Sequence, residues 1–183
     1  MEDLSLHILD IVENSITAEA RLIEINIVED LEKDLITIEL TDDGKGMDQQ
    51  MLQKVLDPFV TTRTTRRVGL GLPLFAEAAR MSNGQFDIQS KVGQGTKVKA
   101  TFQASHIDCK PMGDIVGTIV TLIAGNPQVD FVYRHRKNDL DFSFDTREIK
   151  KALEDVPINT PRVLNWIREN LRDGLAEIGV ITR

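Results

Sequence analysis

Asp42 closes a segment in which Ile36, Ile38 and Leu40 alternate with Thr37, Glu39 and Thr41, and Asp43-Gly44-Lys45-Gly46 follows it. Such alternation marks a strand with one buried face, and its parity puts the Asp42 carboxylate on the apolar side. A carboxylate there is costly unless a specific donor meets it. Gly44 and Gly46 let the backbone turn sharply and approach a ligand. The acid can then accept a hydrogen bond from an exocyclic amino group such as adenine N6. An Asp-Gly turn also opens calcium loops, but those need oxygen ligands at further alternating positions, which Lys45 and Met47 do not supply.

A second set of chemical groups lies in Asp10-Ile-Val-Glu-Asn14. His7, Asp10, Asn14 and Thr17 recur every three or four residues and share one helical face. The plain reading of such a stripe is a solvated face. This one also carries an acid and an amide one turn apart. The Asn14 amide oxygen suits a Mg²⁺ that bridges nucleotide phosphates and keeps most of its waters. Asp10 is placed to orient or deprotonate an attacking water or hydroxyl.

Gly69-Leu70-Gly71-Leu72 opens a helix, where backbone N–H groups and the helix dipole favour phosphate oxygens; a packing loop would read equally well. It is neither a Walker loop, lacking Gly-Lys-Ser/Thr, nor a Rossmann fingerprint, since no strand leads into it. Arg63, Arg66 and Arg67 before it make a basic candidate lid. In Gly93-Gln94-Gly95-Thr96, Thr96 shares the inward parity of Val98, Ala100 and Phe102.

The elements that must position these groups follow from periodicity. Helices are expected at 4–20, 48–56, 72–82, 113–124, 146–155 and 161–178. Strands are expected near 23–27, 36–41, 86–89 and 97–102. A later hairpin sets Val129, Phe131 and Tyr133 against Leu140, Phe142 and Phe144. Its apolar side either packs on the 161–178 helix, as an isolated hairpin needs a covering layer, or offers a partner surface. The chain divides into residues 1–103, a linker at 104–112 and a small α-β-β-α-α module at 113–183.

Bulk properties narrow the function. With 183 residues, 41% hydrophobic and 28% charged, the chain has globular composition. Its net charge of -7 disfavours binding to nucleic acid or anionic membranes. A single cysteine, Cys109, leaves no internal disulfide. An acidic start and no long apolar run add to a cytoplasmic expectation.

Together the four boxes resemble those of the Bergerat-fold ATPases, which include histidine kinases, type II DNA gyrases, mismatch-repair ATPases, large heat-shock chaperones and anti-sigma serine kinases. The likeness covers residues 4–103. It implies an α+β sandwich, with a mixed, mainly antiparallel sheet covered by helices on one face, binding ATP with Mg²⁺. By that match Asn14 is the metal ligand, Asp42 the adenine acceptor and Thr96 a water-linked partner of the base. Gly44 and Gly46 shape the base pocket, while Gly69 and Gly71, with Leu72 beside them, cradle phosphates. Phe59 in Asp57-Pro-Phe-Val-Thr-Thr62 resembles the phenylalanine box of histidine kinases. Two positions depart from the pattern: Arg67 stands where a third glycine is usual, and Asp10 where hydrolases and serine kinases of the group carry glutamate. A complete histidine kinase carries an upstream helical hairpin with its target histidine; none is expected here, and His7, His106 and His135 are not expected to replace it. The resemblance therefore implies a stand-alone protein kinase acting in trans on a separate protein partner. The alternative is an ATP/ADP-sensing switch or slow ATPase without phosphotransfer, with homodimerisation open in either case.

Overall fold

A computed structural model of the chain describes residues 3–56 and 70–181. The alternating segments form β1 (Leu22–Asp30) and β2 (Leu35–Asp42), an antiparallel pair in which Ile23 faces Asp42 and Ile27 faces Ile38. The turn between them places Asp34 at a φ of 54°, a backbone state that Asp tolerates better than most residues. β3 (Phe86–Lys91) and β4 (Gly95–Gln103) make a second hairpin, and β4 pairs with β2. β5 (Asp130–Lys137) and β6 (Leu140–Asp145) make a third.

The six strands form one sheet in the order β3-β4-β2-β1-β5-β6. Every neighbouring pair is antiparallel except β1 and β5, which run parallel with Ile25 opposite Tyr133. The expected mixed, mainly antiparallel α+β architecture is thus present. The segments 1–103 and 113–183 share this sheet: β5 and β6 extend it beyond β1.

One face of the sheet is apolar. Ile23, Ile25, Ile27, Ile38, Leu40, Val98, Ala100, Phe102, Phe131 and Tyr133 are all buried there. The other face carries Glu24, Glu39, Lys97 and Arg134, with ion pairs Lys97–Glu39 at 3.0 Å and Arg134–Glu24 at 3.1 Å. Helices α1 (Leu4–Thr17), α3 (Gly71–Met81), α4 (Ile115–Gly125) and α6 (Pro161–Glu177) supply the rest of the core. α2 (Gln49–Val55) is capped by Asp48, whose side chain accepts from Met51 N–H, and α5 (Thr146–Leu153) follows β6 directly.

α1 stops at Thr17 rather than at Ala20, because Ala18 caps it and Glu19 turns to a φ of 60°. Its first amides are satisfied from a distance. Leu4 N–H donates to the Pro111 carbonyl at 2.9 Å and Ser5 N–H to Met112 at 2.8 Å, while Asp3 accepts from Leu6 N–H at 3.1 Å. The expected linker is therefore a cap for the helix that carries Asp10 and Asn14.

The apolar side of the C-terminal hairpin is covered by α6. Gly174 lies so close to the Phe142 ring that any Cβ there would overlap it. The covering-layer reading of that hairpin is the one observed. Beneath it a buried polar chain joins β5 to β1: Tyr133 Oη lies 2.6 Å from His135 Nδ1, and His135 Nε2 lies 2.7 Å from Glu29 Oε1. Burial pushes the Tyr133 phenol well above its ordinary range, so the phenol keeps its proton and the hydroxyl, the His135 ring and the Glu29 carboxyl form one continuous hydrogen-bonded chain. Burial alone would raise the Glu29 pKa, but the His135 hydrogen bond and nearby positive charge outweigh it and hold the carboxyl below its usual range.

Candidate functional site

A cavity of about 330 Å³ opens between α1, α2 and the sheet. Its walls are mainly apolar, with Ile11, Leu40, Met47, Val55, Leu72 and Val98 among them. Set into these walls are Asn14, Asp42, Lys45, Gly46 and Thr96. Such a cleft, apolar with a few convergent polar groups, is the usual form of a small-molecule site.

Asp42 forms the polar floor and is only 9% exposed. Its Oδ2 accepts from Ser15 Oγ at 2.6 Å and its Oδ1 from Gly44 N–H at 2.9 Å. Both donors are neutral, and Asp42 makes no ion pair among the described residues. The carboxylate thus keeps lone pairs for a further donor. Thr96 is its register partner on β4, so the two side chains stand next to each other on the same face. Ser90 on β3 lies 2.8 Å from Thr96 Oγ1 and accepts from Met47 N–H at 2.8 Å.

The glycines shape the walls by close approach. Gly46 has a φ of 67° and faces the Lys91 carbonyl, where a Cβ would collide. Gly95 has a φ of 91° and lies against the Asp42 carbonyl in the same way. Larger residues would fail at both sites on two counts, left-handed backbone and overlap with main chain. Gly44 sits near the end of α1, where a Cβ would meet the Ala18 carbonyl at 2.8 Å. Asp43 is not part of the cavity wall; it accepts from Arg21 and Leu22 N–H at 2.7 and 2.9 Å and ties β1 to this turn. Lys45 lines the mouth, and its ammonium pairs with the exposed Glu19 at 2.7 Å.

Asn14 lines the cavity from α1, whereas Asp10, one turn earlier, does not. Asp10 lies against the first residue of α3: a Cβ on Gly71 would meet the Asp10 Cβ at 3.1 Å. Gly71 therefore permits the close approach of two helices. α3 has no side-chain cap, and its first intrahelical bond runs from Leu74 N–H to Leu70. Among the described residues nothing accepts from the Gly71 and Leu72 N–H groups, which suit an anion. Gly69, with Phe59, Arg63, Arg66 and Arg67, lies outside the described residues.

The stripe on α1 is graded: Thr17 is exposed, Asp10 and Asn14 are half-buried, and only His7 is fully covered. His7 is 3% exposed and stacks on Phe75, with ring centroids 5.4 Å apart. Burial lowers its pKa, and its Nδ1 has no hydrogen-bond partner among the described residues. Ser15 and Ser90 are two functional candidates that the motifs overlook. Each had a visible signal: Ser15 interrupts the apolar arc of α1 four residues after Ile11, and Ser90 shares inward parity with Ile88. Among the described residues no three His, Cys, Asp or Glu side chains cluster to hold a metal, and no helix is long and apolar enough to cross a membrane.

Comparison with known proteins identifies the family. Three curated relatives match over half of the chain or less. Sporulation kinase D of Bacillus subtilis is 37% identical over 68 residues, which is 37% of this chain and 13% of that protein. Sensor protein DegM of a Bacillus species is 33% identical over 91 residues, 50% of this chain and 24% of that protein. A putative sensor protein of Shewanella frigidimarina is 33% identical over 72 residues, 39% of this chain and 11% of that protein. The alignments thus span a quarter or less of each of these three relatives. Among solved structures, the Aquifex aeolicus MutL ATPase domain complexed with ADP superposes with a TM-score of 0.55 at 16% identity, over 84% of this chain and 70% of that one. The N-terminal domain of a DNA repair protein gives 0.57 at 15% identity, over 79% and 52%. These two likenesses concern the fold. Residues 2–106 match the family described as histidine kinase-, DNA gyrase B- and HSP90-like ATPase, and across that span, more than half of its length, the chain belongs to this family.

Proposed function

We propose that this chain binds ATP as its magnesium complex in the cavity between α1, α2 and the sheet, and transfers the γ-phosphoryl group to a separate protein partner. The observation that carries the binding half is the Asp42 carboxylate, buried in an apolar cavity and held, among the described residues, by neutral donors alone. A neutral base with an exocyclic amino group meets that acceptor, and the surrounding aliphatic walls take its ring. Asn14 would hold Mg²⁺ through its amide oxygen, and that donor set fits a cation whose other ligands are phosphate oxygens and water. The metal would neutralise charge on the phosphates. The leading amides of α3, with Gly71 and Leu72, would receive the phosphate oxygens. Asp10 would orient the acceptor hydroxyl or imidazole and take its proton. The sensor-kinase relatives support transfer over simple hydrolysis.

The experiment is incubation with γ-labelled ATP, alone and with candidate partner proteins. The expected result is stable label on a partner, reduced about 10²–10⁴-fold in Asp10→Asn, the range for losing a general base. Tight nucleotide binding with neither transfer nor turnover would sink the kinase reading. A second reading is then favoured by two observations: Asp10 stands outside the cavity wall, and the 104–112 connector caps α1. In that reading ATP or ADP occupancy is communicated through α1 to the C-terminal strands, and a partner responds to it.

A further inference from the structure

Ser90 lies on β3 as the register partner of Thr96. Its hydroxyl has three neighbours: Met47 N–H at 2.8 Å, the Gly95 carbonyl at 3.1 Å and Thr96 Oγ1 at 2.8 Å. A serine hydroxyl offers one hydrogen and two lone pairs. The Met47 amide only donates and the Gly95 carbonyl only accepts. A single arrangement uses all three contacts. Ser90 gives its hydrogen to Gly95 and receives one hydrogen from Met47 and one from Thr96. Thr96 has then spent its own hydrogen and turns only lone pairs toward the cavity.

Ser15 has the matching effect on Asp42. Its hydroxyl donates to Oδ2 at 2.6 Å, in preference to the Ile11 carbonyl at 3.3 Å. Since Asp42 and Thr96 are register partners, the cavity floor offers acceptors side by side and no side-chain hydroxyl hydrogen from either. An amino group with two N–H bonds complements that floor. A ring carbonyl would point its lone pairs at other lone pairs, and an unmet buried acceptor is expensive. If Ser90 donated to Thr96 instead, Gly95 would lose that hydrogen and Thr96 would be free to donate to a ring carbonyl.

We propose that Ser90 is a positioning residue that, by consuming the Thr96 hydrogen, makes the cavity floor acceptor-only and so selects a 6-amino purine over a 6-oxo purine. This inference rests on the nucleotide reading of the cavity proposed above. It assigns base discrimination to a hydroxyl that acts only through another side chain.

The test is calorimetric titration of the full chain with magnesium ATP and magnesium inosine triphosphate. The wild-type protein is expected to prefer ATP by roughly 10–100-fold, the range for one mismatched buried hydrogen bond. Ser90→Ala returns the hydrogen to Thr96 and is expected to shrink that preference about tenfold. Ser90→Cys keeps the volume with a much weaker acceptor and shifts the preference in the same direction, so the test does not hang on one variant folding. Ser90→Thr retains a hydroxyl and keeps the wild-type preference. In a Thr96→Val background, Ser90→Ala leaves the preference unchanged. Equal weakening of both nucleotides by Ser90→Ala and Ser90→Cys would overturn the inference, as would a shift that survives without the Thr96 hydroxyl. A wild-type protein that binds both triphosphates equally overturns it too. A wild-type protein that binds neither would instead refute the nucleotide reading of the cavity.

Discussion

Two neutral donors hold Asp42, Ser15 Oγ and Gly44 N–H, and that choice matters more than their number. A cationic partner would have consumed the carboxylate in an ion pair, leaving little for a ligand. Asp42→Asn exchanges half of the acceptor for a donor where the proposed base presents its amino group. ATP affinity is expected to fall by about 1.5–3 kcal/mol, the scale of a hydrogen bond to a charged group, with far-ultraviolet circular dichroism unchanged. Retained affinity would mean that the base binds elsewhere. The inward parity of Asp42 and Thr96 was legible because strand alternation is local, with a period of two. The serine contacts were not: periodicity marks Ser15 and Ser90 as inward, but each contact joins residues on different elements.

At the scale of elements, glycine decides how closely the layers approach. Gly71 brings α3 against Asp10, and Gly174 brings α6 onto the Phe142 ring of β6. Gly174→Ala should displace that ring and cost about 1–3 kcal/mol, as overpacking commonly does. Pairing it with Phe142→Leu should recover part of the loss, because contacting residues couple. Chemical denaturation of the two single variants and the double variant measures this, and strictly additive losses would contradict the contact. Helix and strand identities were readable from hydrophobic spacing. The start of α1 at Leu4 was readable too, but its end was not: Ala18 caps it and Glu19 turns to a positive φ short of the expected stop at Ala20. The plain solvated reading of its polar stripe fails at one end for a long-range reason: Phe75 on α3 covers His7.

Across the whole molecule, the parallel β1–β5 pairing makes the C-terminal strands part of the sheet that carries the cavity. The Tyr133–His135–Glu29 chain stands at that seam. Because the folded-state Glu29 pKa is depressed below its ordinary 4.5, its contribution to stability is present above that value and fades as pH falls through the folded pKa. Glu29→Gln should therefore cost about 1.5–3 kcal/mol near neutrality. The gap from wild type should close progressively below about pH 4.5, as thermal melts across a pH series would show. A gap that stays constant into acid would mean that the ion is not what stabilises the seam. The sequence alone determined the four boxes, their order and the inward parity of Asp42 and Thr96, since each depends on spacing within a few residues, while the sandwich class came with the family resemblance those boxes carry. Only the tertiary structure decided that β5 joins β1, that Asp10 rests on Gly71 outside the cavity wall, and that two serines hold the acceptors on its floor. Those facts arise from contacts between distant segments, whose geometry emerges only when the shared core closes around them.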